Sequence, residues 1–215
     1  MRIPSLLLGA WLAAGSPGAS TLAAQTAGPA SSRLPIPGYG SLTQNDLALR
    51  VVTPDIEVRF VPLDQRVTRL LAKDSWESLQ SLVQSRRASI DSVANMAGVS
   101  RPVLALVTFF GQRTNARFDP QTLNVGVRNR VFRPLGIVPF SGKFTSQQLD
   151  VREQVSGIYL FEQDLPVDDS FTISYNGINS GDWSGKQRQL DSERARVALR
   201  ARGAVRDTSA ADSAR

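Results

Sequence analysis

The run VLALVTFF at residues 103–110 constrains this chain more than any other stretch. Eight apolar, β-branched and aromatic residues without a charge have the length of a strand covered on both faces, and fall short of the roughly 10–12 residues expected of a buried helix. Such a strand needs neighbours on both sides and a layer above and below, and the rest of the sequence offers both. Residues 47–53 (LALRVVT) and 56–62 (IEVRFVP), joined by Pro54-Asp55, alternate apolar with charged or small side chains, the period of two of half-buried strands. Residues 123–127 (LNVGV), 155–161 (VSGIYLF) and 171–175 (FTISY) continue the pattern, with a shorter piece at 149–151. The separators Asp119-Pro120, Arg128-Asn129, Ser141-Gly142, Asp168-Asp169 and Asn176-Gly177 carry turn chemistry.

Two segments break the strand period. In DSWE, Asp74 and Glu77 have capping-box spacing, and Trp76, Leu79, Leu82, Val83, Ile90, Val93 and Ala94 follow at steps of three and four. They predict one amphipathic helix over about 74–97, ending near Gly98, with a separate helical turn within 64–73. Residues 185–202 are rich in helix formers, but Leu190, Val197 and Ala201 make only a narrow apolar stripe, so the helix either docks lightly or projects. The expected fold is mainly β: an antiparallel immunoglobulin-like sandwich or partly open barrel with one inserted amphipathic helix and a C-terminal helix. The alternative is an α+β sheet with the helix across one face.

This domain is expected over residues 46–184. Before it, Met1-Arg2, the apolar IPSLLLGAWLAA and the small residues after GSPG have the layout of a secretory signal peptide over 1–24, with cleavage after Ala23 or Ala24. The apolar run is shorter than the roughly 20 residues of a membrane span. Residues 25–45, rich in Pro, Gly, Ala and Ser, read as a disordered tether, and 203–215 as a disordered tail. No other stretch is long and apolar enough to span, so the expected location is extracytoplasmic, in the periplasm or secreted. The chain has no cysteine, hence neither a disulfide nor a lipid-bearing thiol.

Chemistry is narrowed by what is missing. With no histidine and no cysteine, the chain lacks an imidazole base, a thiolate nucleophile and the usual ligands of zinc, haem or iron–sulfur centres. No Ser-x-x-Lys, Gly-x-Ser-x-Gly, phosphate-loop or dinucleotide motif occurs, and no cofactor is expected. Two chemistries remain open. A carboxylate pair could be drawn from Glu57, Glu153 and Glu162, although alternation places such residues on a solvated face. Calcium could be held by Asp164 with Asp168-Asp169, or by the loop 176–182 (NGINSGD), which lacks EF-hand spacing.

The net charge of +6 is carried almost wholly by arginine, scattered through strands, helix and tail. Arginines interleave with aromatics over 113–140, but an exported chain leaves nucleic acid out as a partner. Residues 130–140 (RVFRPLGIVPF) carry Pro134 and Pro139, which cannot donate to a sheet ladder, so the stretch belongs at a sheet edge or bulge. Arg130, Phe132, Arg133 and Pro134 are therefore the candidate partner-binding residues, with edge protection as the commoner use of such a strand. The expected function is an exported, non-enzymatic binding or scaffold module of the bacterial cell envelope, its partner another envelope protein or an anionic surface polymer. Its alternatives are a carbohydrate-active hydrolase using two carboxylates and a self-assembling structural surface protein.

Overall fold

The computed structural model describes residues 34–162 and 165–212, with side chains as far as Ala204. The first hairpin joins β1 (Leu49–Val52) to β2 (Ile56–Pro62), as the alternation predicts. A short α1 (Gln65–Thr68), α2 (Lys73–Ser85) and α3 (Arg87–Met96) follow. The apolar run at residues 103–110 lies in β3 (Val103–Gly111), the middle strand of five. After it come β4 (Ala116–Arg117), β5 (Asn124–Val127), β6 (Arg130–Phe132) and β7 (Gly136–Pro139). The turn α4 (Lys143–Ser146), β8 (Gln148–Leu149), β9 (Gln154–Phe161), β10 (Thr172–Tyr175), β11 (Ile178–Asn179) and the long α5 (Gln187–Asp212) complete the chain.

Every strand pair is antiparallel: a five-stranded sheet ordered β1-β2-β3-β9-β7, a four-stranded sheet ordered β11-β10-β5-β6, and the small pair β4-β8. Neither larger sheet closes on itself. Their inner faces share one core, where Leu49, Val51, Phe60 and Phe109 meet Val125, Phe171, Ile173 and Tyr175. Phe109 lies at the aromatic centre, stacked on Phe118 at 4.7 Å and edge-on to Phe144 and Tyr175. Tyr159, buried with them, donates its hydroxyl to the Pro120 carbonyl at 2.9 Å, and burial raises its pKa. Such paired aromatics add about 0.5–1.5 kcal/mol each beyond the area they bury.

The second face of the five-stranded sheet is divided. Leu104, Ile158, Leu160 and Val138 lie under Ile90, Val93 and Ala94 of α3 and form a separate apolar cluster. Toward the other end of the same face stand two rows of register partners, Val52–Glu57–Phe110–Gln154 and Arg50–Arg59–Thr108–Ser156, and no helix among the described residues covers them. So β3 is covered on both faces only over its first half. The fold is thus mainly antiparallel β, with no closed barrel, and α3 covers one end of the second face of the five-stranded sheet.

Three expected boundaries move. The helix over 74–97 is two helices, broken at Arg86 (φ −106°, ψ 6°). Ser85 donates its hydroxyl to the Leu82 carbonyl at 2.8 Å, loosening the last turn. The break lets Leu79 enter the main core while Ile90 and Ala94 enter the second cluster, which one straight stripe could not do. The capping box also fails: Asp74 lies in the first turn and Ala72 is the N-cap, because residues 71–72 are still paired with 40–42.

That pairing also corrects the tether, whose last residues are ordered. Leu42 is buried and bridges Leu71, and Gly40 lies against the Leu70 carbonyl so closely that a Cβ would stand 2.1 Å from its oxygen. The segment is too poor in apolar residues to order alone; it borrows order from the core. At the other end α5 runs past Arg202 to Asp212, since a helix once nucleated propagates cheaply through Ala-rich sequence, and Gly203 does not stop it. This helix docks, with Leu190, Val197 and Ala201 buried. Residues 1–33 and Asp164, including the expected signal peptide, lie outside the described residues.

Candidate functional site

The stretch 130–140 lies at the boundary of both larger sheets. β6 is the outermost strand of the four-stranded sheet and β7 the outermost of the five-stranded one, joined by Arg133, Pro134 and Leu135. Three extended residues reach about 10 Å, the spacing of two packed sheets. The segment is thus a corner at which the chain passes from one layer to the other, and Pro134 supplies the bend. Phe132 pairs with Val125 and packs on the core, so its ring is committed to the fold. Arg130, Val131 and Arg133 are exposed, Val131 to 68%, and neither arginine has a carboxylate partner among the described residues.

Two of the three candidate carboxylates are already engaged by a cation. Glu57 is bound to Arg59 Nε at 2.7 Å. Glu153 takes Lys143 and the backbone N–H of Asp150, and Lys143, its main partner, holds its carboxyl below the usual range. Glu162 is exposed at the end of β9. At the suspected calcium loops the described carboxylates are likewise engaged. Asp168 pairs with Arg66 and Arg194, and Asp169 with Arg128. Asp182 caps the turn at Trp183–Lys186, with its pKa lowered mainly by the Ser170 hydroxyl and also by Ser184. Asn176 and Gly177 are the two positive-φ residues of the turn joining β10 and β11. Among the described residues no group of three acidic side chains is placed to hold a metal.

The arrangement best suited to a ligand is on the uncovered half of the five-stranded sheet. An open hollow of about 540 Å³ there is lined by Glu57, Arg59, Phe110, Gln112, Arg152 and Gln154, with Gly111 and Val151. Its floor is preassembled: Arg59 lies over the Phe110 ring, 4.3 Å from the centroid, while Glu57 fixes its Nε. Arg50 stands directly opposite Arg59 across the β1–β2 ladder, and both reach Asn45 Oδ1, at 3.4 and 3.5 Å. A second hollow, about 440 Å³, lies among Arg117, Asp119, Ser146, Gln147, Gln148 and Asn176, above the buried ring of Phe118.

The rim of the first hollow is a turn, Asp150 to Glu153, folded against β3. Gly111 donates to the Glu153 carbonyl at 2.9 Å and accepts from Arg152 N–H at 3.1 Å. Only glycine fits there, since a Cβ would stand 2.2 Å from the Asp150 carbonyl oxygen. Arg152 takes φ 65°, a position where glycine or asparagine is usual. No known protein family, characterised protein or solved structure matches the chain.

Of these features the alternation of strand β2 already placed Glu57 and Arg59 on one wet face. Missing from the sequence reading were Phe110, inside an all-apolar run, and Arg152, in a loop. The spacing of Thr108 and Phe110 after purely aliphatic positions is the one trace of the change from covered to bare sheet.

Proposed function

We propose that the chain is an exported, non-enzymatic binding module of the bacterial cell envelope, and that its ligand is an anionic surface polymer. What carries this reading is the hollow over β2, β3 and β9. Two arginines line it, and its one lining carboxylate, Glu57, is already neutralised by Arg59. A general acid and a general base need two carboxyl groups about 5–10 Å apart, whereas recognition needs prearranged donors on a firm floor. A positive net charge favours association with polyanions and weakens with salt. The immunoglobulin-like description of the sandwich belongs to the same proposal, supported by all-antiparallel pairing and the shared core of the two larger sheets.

A second reading, docking of an envelope protein at β6, is favoured by the open edge and exposed Val131. Localising the chain after expression, then incubating it with isolated envelope polymer, tests the proposal. Expected are recovery outside the cytoplasm, binding that weakens as salt rises, and no release of reducing ends. Release that Glu57→Gln abolishes would establish the hydrolase alternative, and retention in the cytoplasm would overturn the envelope assignment. Binding that is lost on mutating Arg130 and Arg133, but kept on mutating Arg59, would move the site to the edge. Light scattering that shows concentration-driven assembly of the purified chain would favour the structural surface protein.

A further inference from the structure

We infer that the hollow over β2, β3 and β9 is a subsite for an acidic sugar, a pyranose unit bearing a carboxylate within an oligosaccharide; this rests on the binding-module reading and names its ligand class. Three features of the lining select it. Glu57 and the amides of Gln112 and Gln154 include acceptors, which call for hydroxyl donors on the ligand, and bare phosphate polymers have few. The Arg59–Phe110 stack offers a flat floor suited to the C–H face of a sugar ring, and exposed apolar side chains extend it: Val52, 61% exposed, beside Glu57 in the register, and Val151, 50% exposed, in the lining. Arg152 has no carboxylate partner among the described residues, and its guanidinium is the donor left for a ligand carboxylate.

Among the described residues Arg152 is one of five non-glycine positions with positive φ, with Asn115, Arg128, Gln147 and Asn176, and of these it is the one that lines this hollow. A residue with a Cβ is less stable in the left-handed region than glycine is. The αL backbone at φ 65° therefore works against stability, and the chain nonetheless carries there a long cationic side chain on the rim of the hollow. Outliers of this kind collect at functional sites, where the surrounding structure holds them in place. In this rim that support is the pair of Gly111 hydrogen bonds.

Calorimetric titration of the full chain, at physiological salt, tests this with three probes: a galacturonate hexasaccharide, a neutral glucan hexasaccharide and inorganic polyphosphate of matched charge. The uronate is expected to bind at least about tenfold tighter than either of the others. Arg152→Gly is expected to weaken uronate binding about tenfold while its urea midpoint stays the same or rises, which separates ligand loss from unfolding. Polyphosphate binding as tight as uronate, or neutral glucan binding as tight, overturns the acidic-sugar assignment and leaves the binding module standing. Undiminished uronate binding by Arg152→Gly overturns the location. No binding of any probe by the folded chain overturns the acidic-sugar inference, whereas failure to bind isolated envelope polymer as well is what would overturn the underlying reading.

Discussion

Glu193 of α5 accepts both the backbone N–H (2.8 Å) and the hydroxyl (2.9 Å) of Ser41, a residue from the opposite end of the domain. Its side chain is 1% exposed, and Arg200 adds a donor at 2.9 Å. Burial works against the charged form, but Ser41 and Arg200 outweigh it, so the carboxyl lies below the ordinary glutamate range. A carboxyl depressed in the folded state stabilises the fold fully above the unfolded value, about 4.3, and loses that contribution as pH falls through the folded value. Glu193→Gln is therefore expected to lower stability by about 1–2 kcal/mol at neutral pH and to flatten the fall in melting temperature below about pH 4.5. Parallel acid melting curves for the two proteins would refute this account of the contact.

Much of the β layer was legible because alternation is a local signal. β1, β2, β5 and β10 all fall within the stretches that show it, and the two prolines of 130–140 lie where the chain borders both larger sheets. What the sequence hid is non-local. Glu193 reads as one more charge on a wet helix face until Ser41 is seen to reach it. Leu42 reads as linker until the strand-like pairing with Leu71 is formed. Arg86 reads as helix interior, yet its guanidinium lies 5.4 Å from the centroid of the Phe140 ring at the break. In the candidate site the same limit applies: Glu57 and Arg59 share a strand and a period, whereas Phe110 and Gln154 join them only through the register of β2, β3 and β9, and Arg152 through the turn held against Gly111.

Gly111 tests whether the rim turn is built by close approach. Gly111→Ala would drive a methyl group into the Asp150 carbonyl, and the backbone there must shift by more than a flexible side chain could absorb. The expected loss is about 1–3 kcal/mol by urea denaturation. Amide exchange should speed at Arg152, whose N–H is held by the Gly111 carbonyl. Wild-type stability with unchanged protection of the Arg152 amide would show that the turn does not depend on that approach.

Truncation separates the two halves of α5. Leu190, Glu193, Val197 and Ala201 face the domain, so a stop codon before Gln187 uncovers the core and leaves the Ser41 donors without their carboxylate. That variant is expected to lose its cooperative thermal transition. A stop after Ala204 keeps every one of these contacts and should change the melting temperature by no more than a surface substitution, about 0.5 kcal/mol in stability. A large loss from the shorter deletion would mean that the last turns of the helix carry packing of their own.

Arg50 and Arg59 face each other in the β1–β2 ladder, and like charges directly opposite are destabilising by a few tenths to about 1 kcal/mol. Lys186 adds to the crowding: burial lowers its pKa first, Asp46 pulls it back up, and Arg50 lowers it further. Arg50→Glu converts the repulsive pair into an attractive one and relieves Lys186, so it should raise stability by about 0.5 kcal/mol. The same change removes a cation from beside the hollow and puts an anion in its place. Galacturonate binding should therefore weaken while the fold gains, and the salt dependence of what binding remains should become shallower. A variant both more stable and equally tight would place the ligand's charge elsewhere on the molecule.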